Sequence, residues 1–179
     1  MLNISKNFLA DTTSTNQVLK PYILVFNENN ENVEYVFTLD NETLIVVDRN
    51  GIESESNNLA VISKVSNVRI SSDYDSKKLK INRLRCTLYN YYDVLKNLSE
   101  FIRDNLVGRS LSLYYKSPTT TTINLSETPT NNDCLGVYSG IITRITHDTE
   151  NINIMVEDKT QLKISNKTVP YMSVDKLES

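Results

Sequence analysis

The sequence predicts a mainly β protein that carries one short helix. Residues 135–157 form the clearest unit, because two runs of alternating apolar and polar residues flank the polar stretch 148–151. This is the pattern of a β-hairpin. Other short runs rich in β-branched and aromatic residues are bounded by turn residues, as strands are. Only residues 93–107 show apolar spacings of three and four over several turns, so they are the predicted amphipathic helix.

The predicted hairpin has one apolar face. Ile141 and Ile145 form it before the turn, and Ile152, Ile154 and Val156 form it after the turn. A two-stranded ribbon is at best marginally stable in water. The apolar face therefore needs further strands beneath it, and we expect the hairpin to belong to a larger sheet.

Length and composition indicate one main domain and argue against two classes of protein. The chain has 179 residues, 39% of them hydrophobic, so we predict a domain at residues 21–160 and a C-terminal extension at 161–179. A net charge of −3 argues against a protein that binds nucleic acid through a basic face. No apolar run approaches the roughly 18 residues of a membrane span, and no secretion signal is recognisable. We expect the chain to stay in the cytosol or in a particle assembled there.

Residues 1–20 are predicted to be an N-terminal arm. They combine a few apolar side chains with many Ser, Thr and Asn, which suggests an extended segment that becomes ordered when it docks on a neighbouring subunit. Phe8 and Leu9 are its candidate contact residues. A short edge strand or a frayed terminus is the alternative interpretation.

The first strands are predicted from short apolar runs. Residues 22–26 (YILVF) are a continuous apolar run typical of a buried strand, and residues 33–39 follow as its partner. Residues 43–47 form the next strand, and the Asn-Gly pair at 50–51 is a strong turn signal. Residues 53–58 are predicted to be a polar loop.

A second group of strands is predicted at residues 61–91. Within the run 77–91 the apolar phase shifts from odd to even positions near Asn82 and Arg83. Because side chains alternate between the two faces of a strand, such a shift requires a β-bulge or a bend.

The predicted helix is followed by one more strand and a long connection. Asp93 can cap the start of the helix and Gly108 can end it. Residues 110–116 (SLSLYYK) again show the two-residue alternation of apolar side chains, which predicts a strand. Residues 117–133 are rich in Thr, Asn, Pro and Ser and are predicted to be a long exposed loop.

The sequence offers no catalytic, cofactor-binding or metal-binding set of residues. The single histidine, His147, lies at the predicted hairpin turn, where exposed polar residues are expected. Cys86 and Cys134 are too few and too distant for a zinc site and are predicted to be free, partly buried thiols. Asp73 and Asp75 lie in a predicted turn without the glycine and distal glutamate of a calcium loop.

Tyrosines are the remaining candidates for an interaction surface. The chain has ten of them, and tyrosine is favoured at interfaces because its ring is apolar and its hydroxyl is polar. We predict interface roles for Tyr89, Tyr91, Tyr92, Tyr114 and Tyr138. The alternative is that tyrosine is frequent here because it suits strands.

The order of elements from residue 61 onward resembles a known family. Three phrases carry the resemblance: residues 108–115 (GRSLSLYY), residues 137–140 (VYSG), and the end of the hairpin at 156–158 (VED). This part of the chain looks like the N-terminal β-barrel region of bacteriophage tail-tip and baseplate-hub structural proteins. The resemblance covers residues 61–160 and implies a tail-tube-like β-barrel or sandwich that packs into a ring, a trimer or a hexamer.

The resemblance implies a non-enzymatic structural subunit of a virion tail, located in a tail tip, baseplate hub or distal-tail ring. It would assemble in the host cytoplasm with copies of itself and with neighbouring tail proteins. The alternative is a carbohydrate-binding β-sandwich, such as an adhesin or receptor-binding module, in which the loop and Tyr114 and Tyr138 form a shallow sugar site. An enzyme ranks last, because no nucleophile, base and orienting group can be named.

Overall fold

A computed structural model describes residues 6–13, 19–29, 31–42, 44–48, 50–54, 57–68, 70–73, 78–81, 83–90, 106–118, 120–126 and 134–158. These ranges contain one helix of eight residues, α1, Lys6–Thr13, and the single helical residue Leu106; the rest of their regular structure is β. The prediction of a mainly β fold is confirmed. The strands in chain order are β1 Lys20–Phe26, β2 Val33–Thr38, β3 Ile45–Val47, β4 Glu53–Ser54, β5 Asn57–Ala60, β6 Ile62–Val65, β7 Ile70–Asp73, β8 Lys78–Ile81, β9 Leu84–Tyr89, β10 Ser110–Lys116, β11 Thr122–Asn124, β12 Cys134–His147 and β13 Asn151–Asp158.

The main sheet has eight strands in the order β5-β2-β1-β10-β12-β13-β9-β6. Its neighbours pair antiparallel except for the parallel pair β2 and β5. The described strands do not form the closed ladder of a barrel. The two end strands are nevertheless consecutive in the chain, because only Val61 separates them. The Val61 N–H donates to the Leu59 carbonyl, and the Val61 carbonyl accepts from the Tyr89 N–H, so one bend brings the chain from one end of the sheet to the other.

The larger core lies on one face of the main sheet and draws residues from both of its ends. Phe37 of β2 and Leu88 of β9 belong to this core together with Leu113 and Ile154 from the middle strands. Strands from opposite ends can share one core only if the sheet curls around it. The curled sheet thus leaves the other face of β6, β9, β13 and β12 for solvent.

A smaller core lies on the opposite face of β1 and β2. Tyr22, Leu24 and Val36 pack there against Val46 of β3 and Ile123 of β11, which belong to a three-stranded sheet in the order β11-β3-β4. Because β1 is covered on both faces, its sequence is a continuous apolar run, as predicted.

The strand β11 corrects the prediction of a long exposed loop at residues 117–133. Thr122–Asn124 pairs parallel with β3, and the Ile123 side chain is completely buried. β-branched Thr and Ile suit a strand, but the partner that stabilises this one lies more than seventy residues earlier in the chain.

The hairpin of β12 and β13 is confirmed, with a change in which isoleucine faces the core. The pairing skips Thr143, because Ile142 lies opposite Val156 while Arg144 lies opposite Met155. This bulge shifts by one residue the alternation between side chains that face the core and side chains that face solvent. Ile142 and Ile145 are therefore buried, and the predicted core residue Ile141 is only partly buried.

Several further predictions differ from the structure or fall on residues outside the described ranges. Residues 6–13 are helical, so this part of the arm is not extended. The polar loop predicted at 53–58 contains β4 and the start of β5. β8 pairs with β7 in a separate sheet while β9 joins the main sheet, and Asn82 between them, where a bulge or bend is predicted, lies outside the described residues. Most of the predicted helix 93–107 and the C-terminal extension lie outside the described residues.

Candidate functional site

The residues that could support catalysis or metal binding are not gathered in one place. No three His, Cys, Asp or Glu side chains in the described ranges lie close enough together to hold a metal ion. His147 is exposed at the end of β12. Cys86 and Cys134 are both buried and neither forms a disulfide bond. The first lies in the larger core and the second in the smaller one, so the sheet separates them. None of the helices in the part of the chain that the structure describes is long and apolar enough to cross a membrane.

Two of the predicted interface residues have exposed side chains. Leu9 of α1 is 55% exposed, and Tyr89 at the end of β9 is 43% exposed. Both are large apolar groups in contact with solvent, which suits a docking contact. Tyr91 and Tyr92 lie outside the described residues, so their interface role stays a prediction.

The other predicted interface residues are turned toward the interior of the chain. Phe8 and Tyr138 are buried, so their side chains are not offered to a partner. The Tyr138 hydroxyl donates to the Val156 carbonyl at 3.2 Å, and burial raises the pKa of Tyr138 to about 12. Tyr114 packs partly buried against the smaller core. Because Tyr114 and Tyr138 belong to opposite faces of the sheet, they do not form the shallow sugar site that we considered.

The solvent face of β6, β9, β13 and β12 carries three cations that the sequence does not place together. In one row across the sheet, Arg85 of β9 lies next to Met155 of β13, and Met155 lies next to Arg144 of β12. Strands are spaced by about 4.8 Å, so the two arginine backbones are about 10 Å apart with the methionine between them. Lys64 of β6 lies in the adjacent row, opposite Thr87.

This surface, which we call the basic groove, consists of Lys64, Arg85 and Arg144 around Met155. Its residues line a depression of about 550 Å³. All three cations are exposed, and none of them pairs with a carboxylate among the residues that the structure describes. In the sequence, only Arg85 stands among other basic residues, namely Lys77, Lys78, Lys80 and Arg83. Lys64 and Arg144 join it through pairing between distant strands, which no local pattern reveals.

A second depression, of about 340 Å³, lies between the β1–β2 turn and the β3–β4 turn. We call it the acidic turn pair and define it by Glu31, Ile52 and Glu53. All three side chains are exposed, and Ile52 is 64% exposed. It combines one apolar side chain with two carboxylates.

Specific hydrogen bonds hold both turns. The Asn27 side-chain oxygen accepts from the Glu31 N–H at 3.1 Å in the first turn. In the second turn, the Asp48 carboxylate accepts from the Ile52 N–H at 2.9 Å, and Gly51 has a φ of 81°, which glycine adopts without strain. Such side-chain bonds to the backbone define turns, so the carboxylates project from a fixed support.

A cluster of ionic groups fixes the end of β1. Glu42 accepts hydrogen bonds from Lys20 at 2.7 Å and from the Tyr22 hydroxyl at 2.5 Å, and the buried Lys116 lies 3.7 Å from it. The hydrogen bond from Lys20, followed by the bond from Tyr22, lowers the pKa of Glu42 to about 2. The hydrogen bond that Lys20 donates to Asp40, ahead of the one that it donates to Glu42, raises the pKa of Lys20. This cluster connects groups of the chain itself, so we assign it to the scaffold.

Comparison with known proteins supplies a likeness of fold. No family model matches the chain, and no curated protein matches its sequence. Its structure is similar to one chain of a solved structure described as the virion of a native gene transfer agent (GTA) particle, with a TM-score of 0.57 and 6% sequence identity. The similarity covers 88% of this chain and 46% of that chain, so this chain spans less than half of that chain's length. At this identity the similarity shows a shared fold.

Proposed function

We propose that this chain is a structural subunit of a virion tail, where it assembles with copies of itself into a ring and contacts neighbouring tail proteins. The observation that carries the proposal is the fold that it shares with a chain of a virion particle. The resemblance of residues 61–160 to the barrel region of tail-tip and baseplate-hub proteins supports the same role and supplies the tail position. In this role the chain acts through protein contacts, without catalysis or a cofactor.

The surfaces of the molecule suit assembly with other proteins. Leu9 and Tyr89 are exposed apolar side chains, and the basic groove adds two arginines and a methionine. Arginine, methionine and aromatic residues are enriched in protein interfaces. We propose Leu9 and Tyr89 as subunit contacts, together with Tyr91 and Tyr92.

Immunogold electron microscopy of purified virions tests this function. An antibody raised against the chain should label intact particles at one end of the tail, and pre-immune serum should leave them unlabelled. Label at the capsid end or at the distal end would decide between a connector and a tip position. Intact particles without label, from cells in which the chain is abundant, would refute the proposal.

A further inference from the structure

The basic groove and the acidic turn pair have complementary chemistry. The groove presents Met155 between Arg85 and Arg144, and the turn pair presents Ile52 beside Glu31 and Glu53. Each surface combines an apolar side chain with exposed charges of one sign, and the signs are opposite. Complementary potentials of this kind select partners and fix their register.

The two surfaces lie on different parts of the molecule. The groove is on the solvent face of β6, β9, β13 and β12, whereas the turn pair lies at the ends of β1, β2, β3 and β4, and β10 lies between β1 and β12 in the main sheet. One chain can therefore bind a copy through its groove and a second copy through its turns. A contact between unlike surfaces is heterologous, and its repetition gives a closed ring when the rotation between copies allows closure.

We infer that the basic groove of one copy binds the acidic turn pair of the next copy. The occupant of the groove is thus a second copy of this chain, and the contact pairs Arg85 and Arg144 with Glu31 and Glu53 around Met155 and Ile52. This inference rests on the proposed function, because it names the surfaces by which the subunits associate. A polyanion such as nucleic acid would also match the basic groove, but the net charge of −3 of the whole chain repels it. The acidic turn pair of a copy provides the complementary charge, so a copy is the favoured occupant.

Charge reversal on each side of the contact provides the test. The first variant carries Arg85→Glu and Arg144→Glu, and the second carries Glu31→Lys and Glu53→Lys. Sedimentation velocity of the full chain should show wild-type oligomers at about 0.05 M salt that weaken at about 0.5 M, where exposed charges are screened. Each variant alone should associate at least about tenfold more weakly, because it places like charges opposite each other.

A mixture of the two variants is the decisive sample. The reversed groove of the first variant is acidic and fits the reversed turns of the second, while the native turns of the first fit the native groove of the second. The mixture should therefore recover association that neither variant shows alone, and native mass spectrometry should find both chains in the same oligomers. A variant that only misfolds cannot produce this recovery.

The outcomes separate this inference from the proposed function. Oligomers that withstand both reversals would overturn the contact, even if immunogold label places the chain in the tail. A wild-type chain that stays monomeric but is retained by a duplex oligonucleotide through Arg85 and Arg144 would also overturn it. Recovery in the mixture would support the contact, even if virions carry no label and the tail assignment fails.

Discussion

Gly140 occupies a position in β12 where a single added methyl group should be strongly destabilising. Its backbone passes so close to β13 that a Cβ built on it would lie against the Glu157 carbonyl oxygen, 2.8 Å from Val156 Cγ1 and 2.9 Å from the Glu157 carbonyl carbon. Carbon atoms make optimal contact at about 3.5 Å. In Gly140→Ala the two strands must therefore separate by about 0.6 Å, which is the difference between the optimal 3.5 Å and the 2.9 Å from the added Cβ to the Glu157 carbonyl carbon.

The free-energy cost of Gly140→Ala depends on whether the obstructing atoms of β13 can move. The obstructing atoms are mostly backbone, and they belong to the ladder in which Gly140 lies opposite Asp158. Overpacking of a core costs about 1–3 kcal/mol, and each weakened ladder hydrogen bond adds about 1 kcal/mol. Alanine also has less conformational freedom than glycine in the unfolded chain, which offsets about 0.4–1 kcal/mol of this loss. We expect Gly140→Ala to lower the free energy of unfolding by about 3 kcal/mol.

Gly136 supplies the matched control in the same strand. A Cβ at this position would meet the Tyr114 ring at 3.2 Å, and this partly exposed side chain can move by a few tenths of an ångström. Gly136→Ala should change the stability by less than about 0.5 kcal/mol, because the entropic gain offsets the crowding. Urea unfolding followed by far-ultraviolet circular dichroism measures both variants.

With an m-value of about 2 kcal/mol/M, the Gly140→Ala midpoint should fall by about 1.5 M urea. Gly140→Ala within about 1 kcal/mol of the wild-type protein would refute the argument from close backbone approach. Equal losses at Gly136 and Gly140 would refute it as well, since they would indicate a general cost of alanine in β12.

Two further predictions concern titratable groups. Hydrogen bonds from Lys20 and Tyr22 hold the pKa of Glu42 at about 2, below its usual value of 4.5. The ionised Glu42 therefore stabilises the fold above about pH 4.5, and this contribution is lost as the pH falls toward about 2. Glu42→Gln should lower the thermal midpoint at neutral pH, and its midpoint should converge with that of the wild type near pH 2; parallel curves over this range would contradict the assignment. Burial raises the pKa of the Cys86 thiol to about 12, and Cys134 is buried in the other core, so neither thiol should react with Ellman's reagent in the native protein at about pH 8. Both should react in denaturant, and one fast-reacting thiol in the native state would show that a core is open.

Local patterns in the sequence were sufficient for many of the elements. The continuous apolar run of β1, the alternation in β10 and the turn between β12 and β13 can each be recognised from neighbouring residues. Their physical causes are local as well, because side chains of a strand alternate between its faces and Asp148 accepts the N–H groups of Glu150 and Asn151 within its own turn. The same applies to the Asn-Gly turn, where Gly51 has the positive φ that its sequence predicts.

The pairing of distant strands was decided only in three dimensions, and with it the location of the candidate surfaces. The bulge at Thr143 exchanges Ile141 for Ile142 in the core because β13 imposes the register, and Thr122–Asn124 is a strand because β3 is available beside it. Arg144 joins Arg85 across β13 for the same reason. Strand pairing depends on hydrogen bonds and packing between segments far apart in the chain. The sequence alone therefore determined most of the strands, while their neighbours decided the others, such as β11, and which side chains share a surface.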